Sequence, residues 1–299
     1  MLAKELPELK ILITGARGFI GRHLINRLSQ CSGTQVFALD VQEEQKKEHL
    51  YQSLCVDMSI PGWSEIIPGP MDAVVHLAQS LRYRDFPEGA YDMVRININA
   101  TFELLEWCRK NYVRKFIFSS TGNVYKEDKK LLTENDVCEP TSMYAATKLS
   151  AEHLVKQYAV FFQAIILRLF GVYGPGQSNR TIPNIVENVR KGNEITLAQK
   201  IGLHMTPLYI SDCIEMLYKL IMEDNLGKSI LLNMASSESI HLGDIIKKIE
   251  KHLNCKAITK ITEDEPRYLQ GDNKKILETL NYDPAVDFDE GIKKTLFNL

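Results

Sequence analysis

Along the first two-thirds of the chain, short apolar runs alternate with longer stretches in which apolar residues recur every three or four positions. The runs are Lys10–Thr14, Gln35–Leu39, Gln52–Val56, Ala73–Leu77, Lys115–Ser119, Ala164–Leu169 and Ser229–Asn233. Several are unbroken sequences of Ile, Val, Leu and Phe. That predicts parallel strands covered on both faces, since a half-exposed strand would alternate with polar residues. The periodic stretches Phe19–Gln30, Tyr91–Asn111, Met143–Phe162 and Ser211–Met222 predict helices. Strand–helix–strand repetition predicts right-handed crossovers and an open α/β fold with a doubly wound parallel sheet.

The pattern changes after Gly174. Pro175, Gly176, Gln177 and Ser178 signal a loop. Helices are expected at Pro183–Lys191, Leu242–Leu253 and Asp289–Leu296, with a short strand near Lys256–Ile261. Two domains follow: a larger one from residues 1–173 and 204–233, and a smaller C-terminal α/β one from 174–203 and 234–299. A chain of 299 residues suits this division, because single cores rarely outgrow about 250–300 residues.

Charge and cysteine usage narrow the function classes. Lys and Arg number 36 against 38 Asp and Glu, a net charge of −2, which argues against a generally basic nucleic-acid binder. The start MLAKELPELK lacks the apolar core of a signal peptide. The longest apolar-looking stretch, from Tyr158 to Tyr173, is interrupted by Gln163 and Arg168, so no membrane span is expected. The six cysteines, at 31, 55, 108, 138, 213 and 255, show neither pairs nor metal-ligand spacing. Reduced thiols in a cytoplasm are the simplest reading, with no metal site.

The sharpest local signal is the strand Lys10–Thr14 running into Gly15-Ala-Arg-Gly18-Phe19-Ile20-Gly21 and then a helix. Gly15 permits a tight turn, Gly18 a close backbone approach to a pyrophosphate, and Gly21 close packing of helix on strand. The helix N-terminus then offers free N–H groups to phosphate oxygens. The second strand ends in Asp40, nineteen residues after Gly21. A carboxylate there accepts from both hydroxyls of an adenosine ribose and repels a 2′-phosphate, which favours NAD over NADP. Asp57, closing the third run, would reach the adenine amino group; as a helix-cap or loop aspartate it would need no ligand.

A second constellation carries reaction chemistry. Tyr144-Ala-Ala-Thr-Lys148 places a phenol and an ammonium four residues apart, on one helix face. A free phenol, with a pKa of about 10, is a weak base at neutral pH, and a neighbouring cation favours its phenolate. Y-x-x-x-K alone arises by chance in many helices. Its weight comes from Ser119-Ser120-Thr121, at the carboxyl end of the fifth strand, where ligands of doubly wound sheets sit. The Thr121 hydroxyl would hydrogen-bond the substrate oxygen that Tyr144 deprotonates, while Ser119 and Ser120 would face a nicotinamide.

These residues, in order, resemble the extended short-chain dehydrogenase/reductase family, in its NAD-dependent epimerase/dehydratase branch acting on nucleotide sugars. The resemblance covers nearly the whole chain: Thr14-Gly-Ala-Arg-Gly-Phe-Ile-Gly21, Asp40, Asp57, His76-Leu-Ala78, Asn97, Ser119-Ser-Thr121, Val124-Tyr125, Tyr144 with Lys148, Arg168-Leu-Phe-Gly-Val-Tyr-Gly-Pro-Gly176 and Ile210-Ser-Asp212. It implies a Rossmann fold with a smaller substrate domain. It also implies a homodimer joined by the helices at 91–111 and 143–162; Phe102, Leu105, Val155 and Tyr158 suit that interface and equally suit packing on the sheet. Leu77, Ala78 and Gln79 would line the cofactor's diphosphate and ribose. Asn97 would steady the backbone near the nicotinamide, with Phe170 and Val172 beside the carboxamide. Phe19, Ile20 and Met58 would complete the cofactor contacts. Tyr83, Arg84, Asn123, Thr181 and His204 would line the pocket for a nucleotide-sugar substrate.

Departures from the family pattern restrict the chemistry. Dehydratases of the family carry Asp-Glu after the catalytic hydroxyl; here Gly122 and Asn123 follow Thr121. Elimination of water then lacks its acid and base, and the glutamate of the decarboxylating branch is missing too. The family's diphosphate-gripping Arg-Asp-Phe aligns with Met205-Thr-Pro207, and its frequent Asn is Gly171. His204, Arg180 and Arg267 are candidate replacements. Three readings remain: an epimerase, most simply at the sugar 4-position, with retained NAD; a net keto-sugar reductase or alcohol dehydrogenase using the same residues; and a non-catalytic dinucleotide binder.

Overall fold

The computed structural model describes residues 8–42 and 51–298; most of the amino-terminal stretch considered above for targeting lies outside them. The chain runs β1 (Leu9–Thr14), α1 (Phe19–Ser29), β2 (Thr34–Asp40), β3 (Gln52–Cys55), β4 (Ala73–His76), α2 (Ala90–Val94), a π-helical turn (Arg95–Ala100), α3 (Thr101–Lys110), β5 (Lys115–Thr121), α4 (Met143–Tyr158), β6 (Gln163–Leu169), α5 (Thr181–Lys191), β7 (Glu194–Ala198), β8 (Leu203–Met205), α6 (Ile210–Met222), β9 (Ser229–Met234), β10 (Ile240–His241), α7 (Leu242–Leu253), β11 (Ile258–Thr262), β12 (Arg267–Leu269), α8 (Lys274–Leu280) and α9 (Phe288–Phe297).

The seven expected strands form one sheet in the order β3-β2-β1-β4-β5-β6-β9. β1 pairs in parallel with β2, Leu9 opposite Thr34, and with β4, Ile11 opposite Ala73; β4 pairs in parallel with β5. The strand order reverses beside β1, and this is the switch point at which open α/β sheets bind ligands.

Two compact units emerge. One comprises the chain up to Val124, with Pro140–Leu167 and Leu217–Leu231. Its core sets Leu12, Phe37, Val74, Phe116 and Phe118 of the strands against Leu104, Leu105 and Cys108 of α3 and Ala151 and Val155 of α4. Leu105 and Val155 are wholly buried there, so they serve this core, while Phe102 is half-exposed. Lys115 opens β5, and its ammonium donates to the carbonyls of Leu220, Ile221 and Glu223 at 3.0, 2.6 and 2.7 Å, tying down the last turn of α6. Cations suit a helix C-terminus for this reason.

The second unit comprises Tyr125–Glu139, Arg168–Met216 and Leu232–Leu299. Residues 204–216, expected with the first domain, group with the second, because β8 pairs with β10 and β12 in a three-stranded sheet. A parallel pair of β7 and β11 and the helices α5, α7, α8 and α9 complete it. Asn233 is fully buried with both ends of its amide bonded: it accepts from the Tyr125 hydroxyl at 2.7 Å and donates to the Leu132 carbonyl at 2.7 Å. Among the described residues, no helix is long and apolar enough to cross a membrane.

Candidate active site

The glycine loop leaves β1 at Gly15, whose φ of +68° is a left-handed conformation. A Cβ on Gly15 would stand 2.7 Å from the Ala78 nitrogen, so only glycine lets the loop touch the chain leaving β4. A Cβ on Gly21 would meet the Gly15 carbonyl oxygen at 2.5 Å, which sets how closely α1 packs on the loop. Gly18 is the N-cap of α1; no side chain caps that helix start, and no acid occupies the first turn. Its leading amides suit an anion. Phe19 and Ile20, in that turn, are both partly buried.

Asp40 closes β2 with its carboxylate turned to the same loop. One oxygen accepts from the Arg17 amide at 2.9 Å and the other from the Gln42 amide at 3.2 Å. Each oxygen keeps a lone pair for a hydroxyl donor. A helix start without a capping side chain, a backbone approach that a Cβ would close and a strand-end carboxylate together fit a diphosphate joined to ribose. Asp57 accepts from the Ser59 amide at 2.8 Å, and Met58 is buried beside it.

The chain leaving β4 is pinned at successive residues. His76 is wholly buried between Thr14 and Thr101, its Nδ1 2.6 Å from one hydroxyl and its Nε2 2.9 Å from the other. Thr101 gives its own proton to the Asn97 carbonyl, so Nε2 donates and Nδ1 accepts. Burial first, then the Lys148 charge, depresses the imidazole pKa to about 3 and keeps His76 neutral. The Ala78 amide donates to Thr14 Oγ1 at 3.3 Å, and the Ser80 amide to Asn97 Oδ1 at 2.9 Å. Asn97 sits in the π-helical turn and donates from Nδ2 to Thr147 Oγ1 at 2.9 Å; Thr147 donates to the Tyr144 carbonyl at 2.8 Å. A continuous chain of bonds therefore joins the β4 exit to the first turn of α4.

α4 begins at Met143, where the Ser142 side chain accepts from the Ala145 amide at 3.2 Å. Tyr144 lies in that first turn, where the helix dipole favours negative charge. Its phenol donates to Gln79 Oε1 at 2.9 Å. Burial pushes the phenol pKa up to about 12, and a hydrogen bond from Thr121 pulls the other way. Thr121 Oγ1 accepts from both the amide and the Nδ2 of Asn123, at 3.2 and 3.0 Å, which leaves its own proton to point at the phenol oxygen. Lys148 is almost wholly buried, with its ammonium 4.3 Å from the Phe118 ring centroid. Burial lowers its pKa to about 7, against the opposing pull of Glu152. Glu152, one turn further, accepts from the Ser120 hydroxyl at 2.5 Å.

The structure thus brings Thr121, Tyr144, Lys148, Gln79 and Asn97 together. Tyr83 joins them, its ring 5.4 Å from that of Tyr144, with the Arg84 guanidinium 5.1 Å from the Tyr83 ring. Asn123 orients Thr121. Ser119 and Ser120 differ from expectation: side chains on a buried strand face protein, so Ser119 donates to the His76 carbonyl at 3.0 Å and Ser120 to Glu152. Neither hydroxyl proton is turned to a ligand. Leu77, partly buried in the first unit, donates its amide to the Thr14 carbonyl at 3.1 Å. The remaining expected residues lie in the second unit. Phe170 is buried against Tyr125 and Gly271, Val172 gives its carbonyl to Gln177, and Thr181 opens α5. His204 stacks on Tyr268 at 4.7 Å, beside His241. Arg267 is bonded to Glu127 at 3.2 Å. Sequence reasoning missed Glu152, Thr147 and the Gln79–Tyr144 contact. The four-residue step from Lys148 to Glu152 was the one legible signal, an opposite-charge pair on one helix face.

Three comparisons bear on this site. The sequence profile of the NAD dependent epimerase/dehydratase family matches residues 11–235. An uncharacterised protein of Methanocaldococcus jannaschii is 27% identical, covering 95% of this chain and 94% of its own length. An uncharacterised UDP-glucose epimerase of Bacillus subtilis is also 27% identical, over 95% and 96%. Among solved structures, a UDP-glucuronic acid 4-epimerase from Bacillus cereus, in complex with UDP-glucuronic acid and NAD, superposes with a TM-score of 0.87 at 28% identity, covering 97% of this chain and 98% of that one.

Proposed function

Because the chain belongs to the NAD dependent epimerase/dehydratase family, we propose that it is an NAD-dependent nucleotide-sugar epimerase that inverts a hydroxyl at the sugar 4-position. The observation that carries this is the grouping of the Tyr144 phenol, the Thr121 proton and the Lys148 ammonium at the carboxyl ends of β4 and β5, beside the glycine loop. The Bacillus cereus and Bacillus subtilis relatives support the same class of substrate. NAD, when bound, accepts a hydride and returns it, and its cationic ring favours a nearby phenolate.

The chain's own residues do the rest. Asp40 selects the free ribose, and the α1 amides take the diphosphate. Tyr144 removes the proton from the sugar hydroxyl, and Thr121 holds the same oxygen by its directed O–H. Lys148 stabilises the phenolate from one turn away. The sugar ketone turns within the pocket so that the returned hydride adds to its other face, and Tyr144 gives the proton back to the carbonyl oxygen. Asn123 spends its amide on Thr121, and no carboxylate follows that hydroxyl, so the groups for elimination or decarboxylation are missing. Asp40 also favours a redox-neutral cycle on retained NAD over a net reductase.

In the same reading, the first unit carries the dinucleotide. The six free cysteines suit a reducing cytoplasm. Phe102 and Tyr91, exposed on α3 and α2, suit a homodimer.

The test is turnover of UDP-glucuronate, UDP-glucose and UDP-N-acetylglucosamine by NAD-saturated protein, followed by proton NMR. The expected result is the 4-inverted isomer without accumulation of NADH, with a deuterium placed at carbon 4 retained in the product. Stoichiometric consumption of NAD(P)H would replace the epimerase with a net reductase. Silence on all three sugars, with normal NAD binding, would favour a non-catalytic dinucleotide binder.

A further inference from the structure

The Tyr144 phenol has two neighbours with opposite hydrogen-bonding roles. Thr121 donates to it, and Gln79 accepts from it at 2.9 Å. Gln79 is no loosely placed side chain. The residue before it is fixed by the Ala78 amide on Thr14, and the residue after it by the Ser80 amide on Asn97. The Ser80 hydroxyl is further bonded to the Asp92 carboxylate. Asn97 reaches the Tyr144 carbonyl through Thr147, so donor and acceptor hang from one set of bonds.

A carboxamide is neutral at every working pH, so Gln79 cannot itself be the base. Its carbonyl oxygen is the end turned to the phenol, and it accepts the phenol's proton. A sugar hydroxyl approaching the same oxygen would have to take this place.

We propose that Gln79 is a positioning residue, the resting hydrogen-bond partner of the Tyr144 phenol, which holds the tyrosine protonated and gives way to the substrate hydroxyl. The mention of a substrate hydroxyl rests on the epimerase reading; the resting contact does not.

Of the titratable and charged groups around the phenol, Tyr83 packs on the Tyr144 ring with Arg84 beside it, Lys148 follows one helical turn along α4 over Phe118 with Glu152 a turn beyond, and neutral His76 is held between Thr14 and Thr101. All stay in place when residue 79 alone is changed. An acceptor bonded to the neutral phenol favours the protonated form; removing it lowers the ionisation midpoint, and a carboxylate in its stead raises it.

The experiment is ultraviolet titration of the phenol, taken as the difference between each protein and its Tyr144→Phe counterpart, which isolates one of the twelve tyrosines. It is run on the parent, Gln79→Ala and Gln79→Glu, with and without saturating NAD and with no sugar nucleotide present. Circular dichroism checks that each variant is folded. The expected order of midpoints is Ala below Gln below Glu, with Gln79→Ala down by roughly half to one pH unit, the size of one neutral hydrogen bond. Coincident midpoints, or both variants shifting the same way, would overturn the proposal. A protein silent on every sugar would still titrate, so failure of the epimerase reading is seen separately, in the turnover assay.

Discussion

Asp212 in the second unit and Lys148 in the first are both charged side chains only 1% exposed, yet their surroundings treat them in opposite ways. Asp212 accepts from the Tyr282 hydroxyl at 2.7 Å and from the Ala285 and Val286 amides at 2.9 and 3.2 Å. It also lies in the first turn of α6, where negative charge is favoured. Its charge is consumed in holding the segment that leads into α9. Lys148 rests over an aromatic ring near one carboxylate, and its proton affinity falls until it is held only near neutrality. A buried charge saturated with hydrogen bonds is architecture. One kept with a depressed pKa, one helical turn from a buried phenol, is poised for chemistry.

The sharpest way to break this contrast is Tyr144→Phe. It removes the base and keeps the ring, so kcat should fall by about 10²–10⁴-fold while the melting temperature barely moves. A variant retaining a tenth of parental turnover would remove Tyr144 from the reaction. Next comes Asp212→Ala, which strands three donors at once. Urea unfolding should show a loss of about 3–5 kcal/mol, whereas NAD affinity of the folded fraction stays near the parent's.

Lys148→Met should do the reverse. Turnover drops roughly 10–100-fold, and the apparent pKa for activity rises, since the phenolate loses its cation. Stability gains a distinct pH signature. The lysine pKa is about 7 folded, against an ordinary 10.5. The unfolded chain therefore binds more protons between those values, and the parent becomes more stable as pH rises through that window, by at most about 1.4 kcal/mol per pH unit. Below pH 7 the cost of burial is fully present. Melting curves of the methionine variant should lack that slope. The smallest expected effect is Thr121→Ala, about tenfold or less on kcat, as befits one hydrogen bond to the reacting oxygen.

The same contrast explains what the sequence disclosed. The first unit was legible because its strands are long and apolar and its chemistry sits at fixed spacings: Gly15 to Gly21, then Asp40, then Tyr144 to Lys148. The second unit was harder. β8, β10 and β12 are two or three residues each, too short for a period to appear. β12 is held by side-chain bonds between distant residues, Glu127 with Arg267 and Tyr268. Residues 204–216 were assigned by their neighbours in the chain, when pairing with Ile240–His241 decides where they belong. In the first unit, the stretch from Tyr91 to Asn111 reads as one continuous helix, and nothing in its apolar spacing marks the π-helical turn at Arg95–Ala100. Gln79 was visible as a residue, but its partner lies sixty-five positions away.

That wide turn has a consequence for how the chain tolerates change in length. It makes room in a single coil for one residue beyond what ordinary winding needs, and Asn97 occupies the bulge. Excising Ile98 would let the coil relax to regular pitch. The turns on either side would keep their facing toward Leu104, Leu105 and Cys108, because the bulge had absorbed the extra residue, and the amide of Asn97 alone would be drawn away from Ser80 and Thr147. The segment would become a better helix while the phenol lost its scaffold, so its imperfection is the part of the rod that natural shortening should spare.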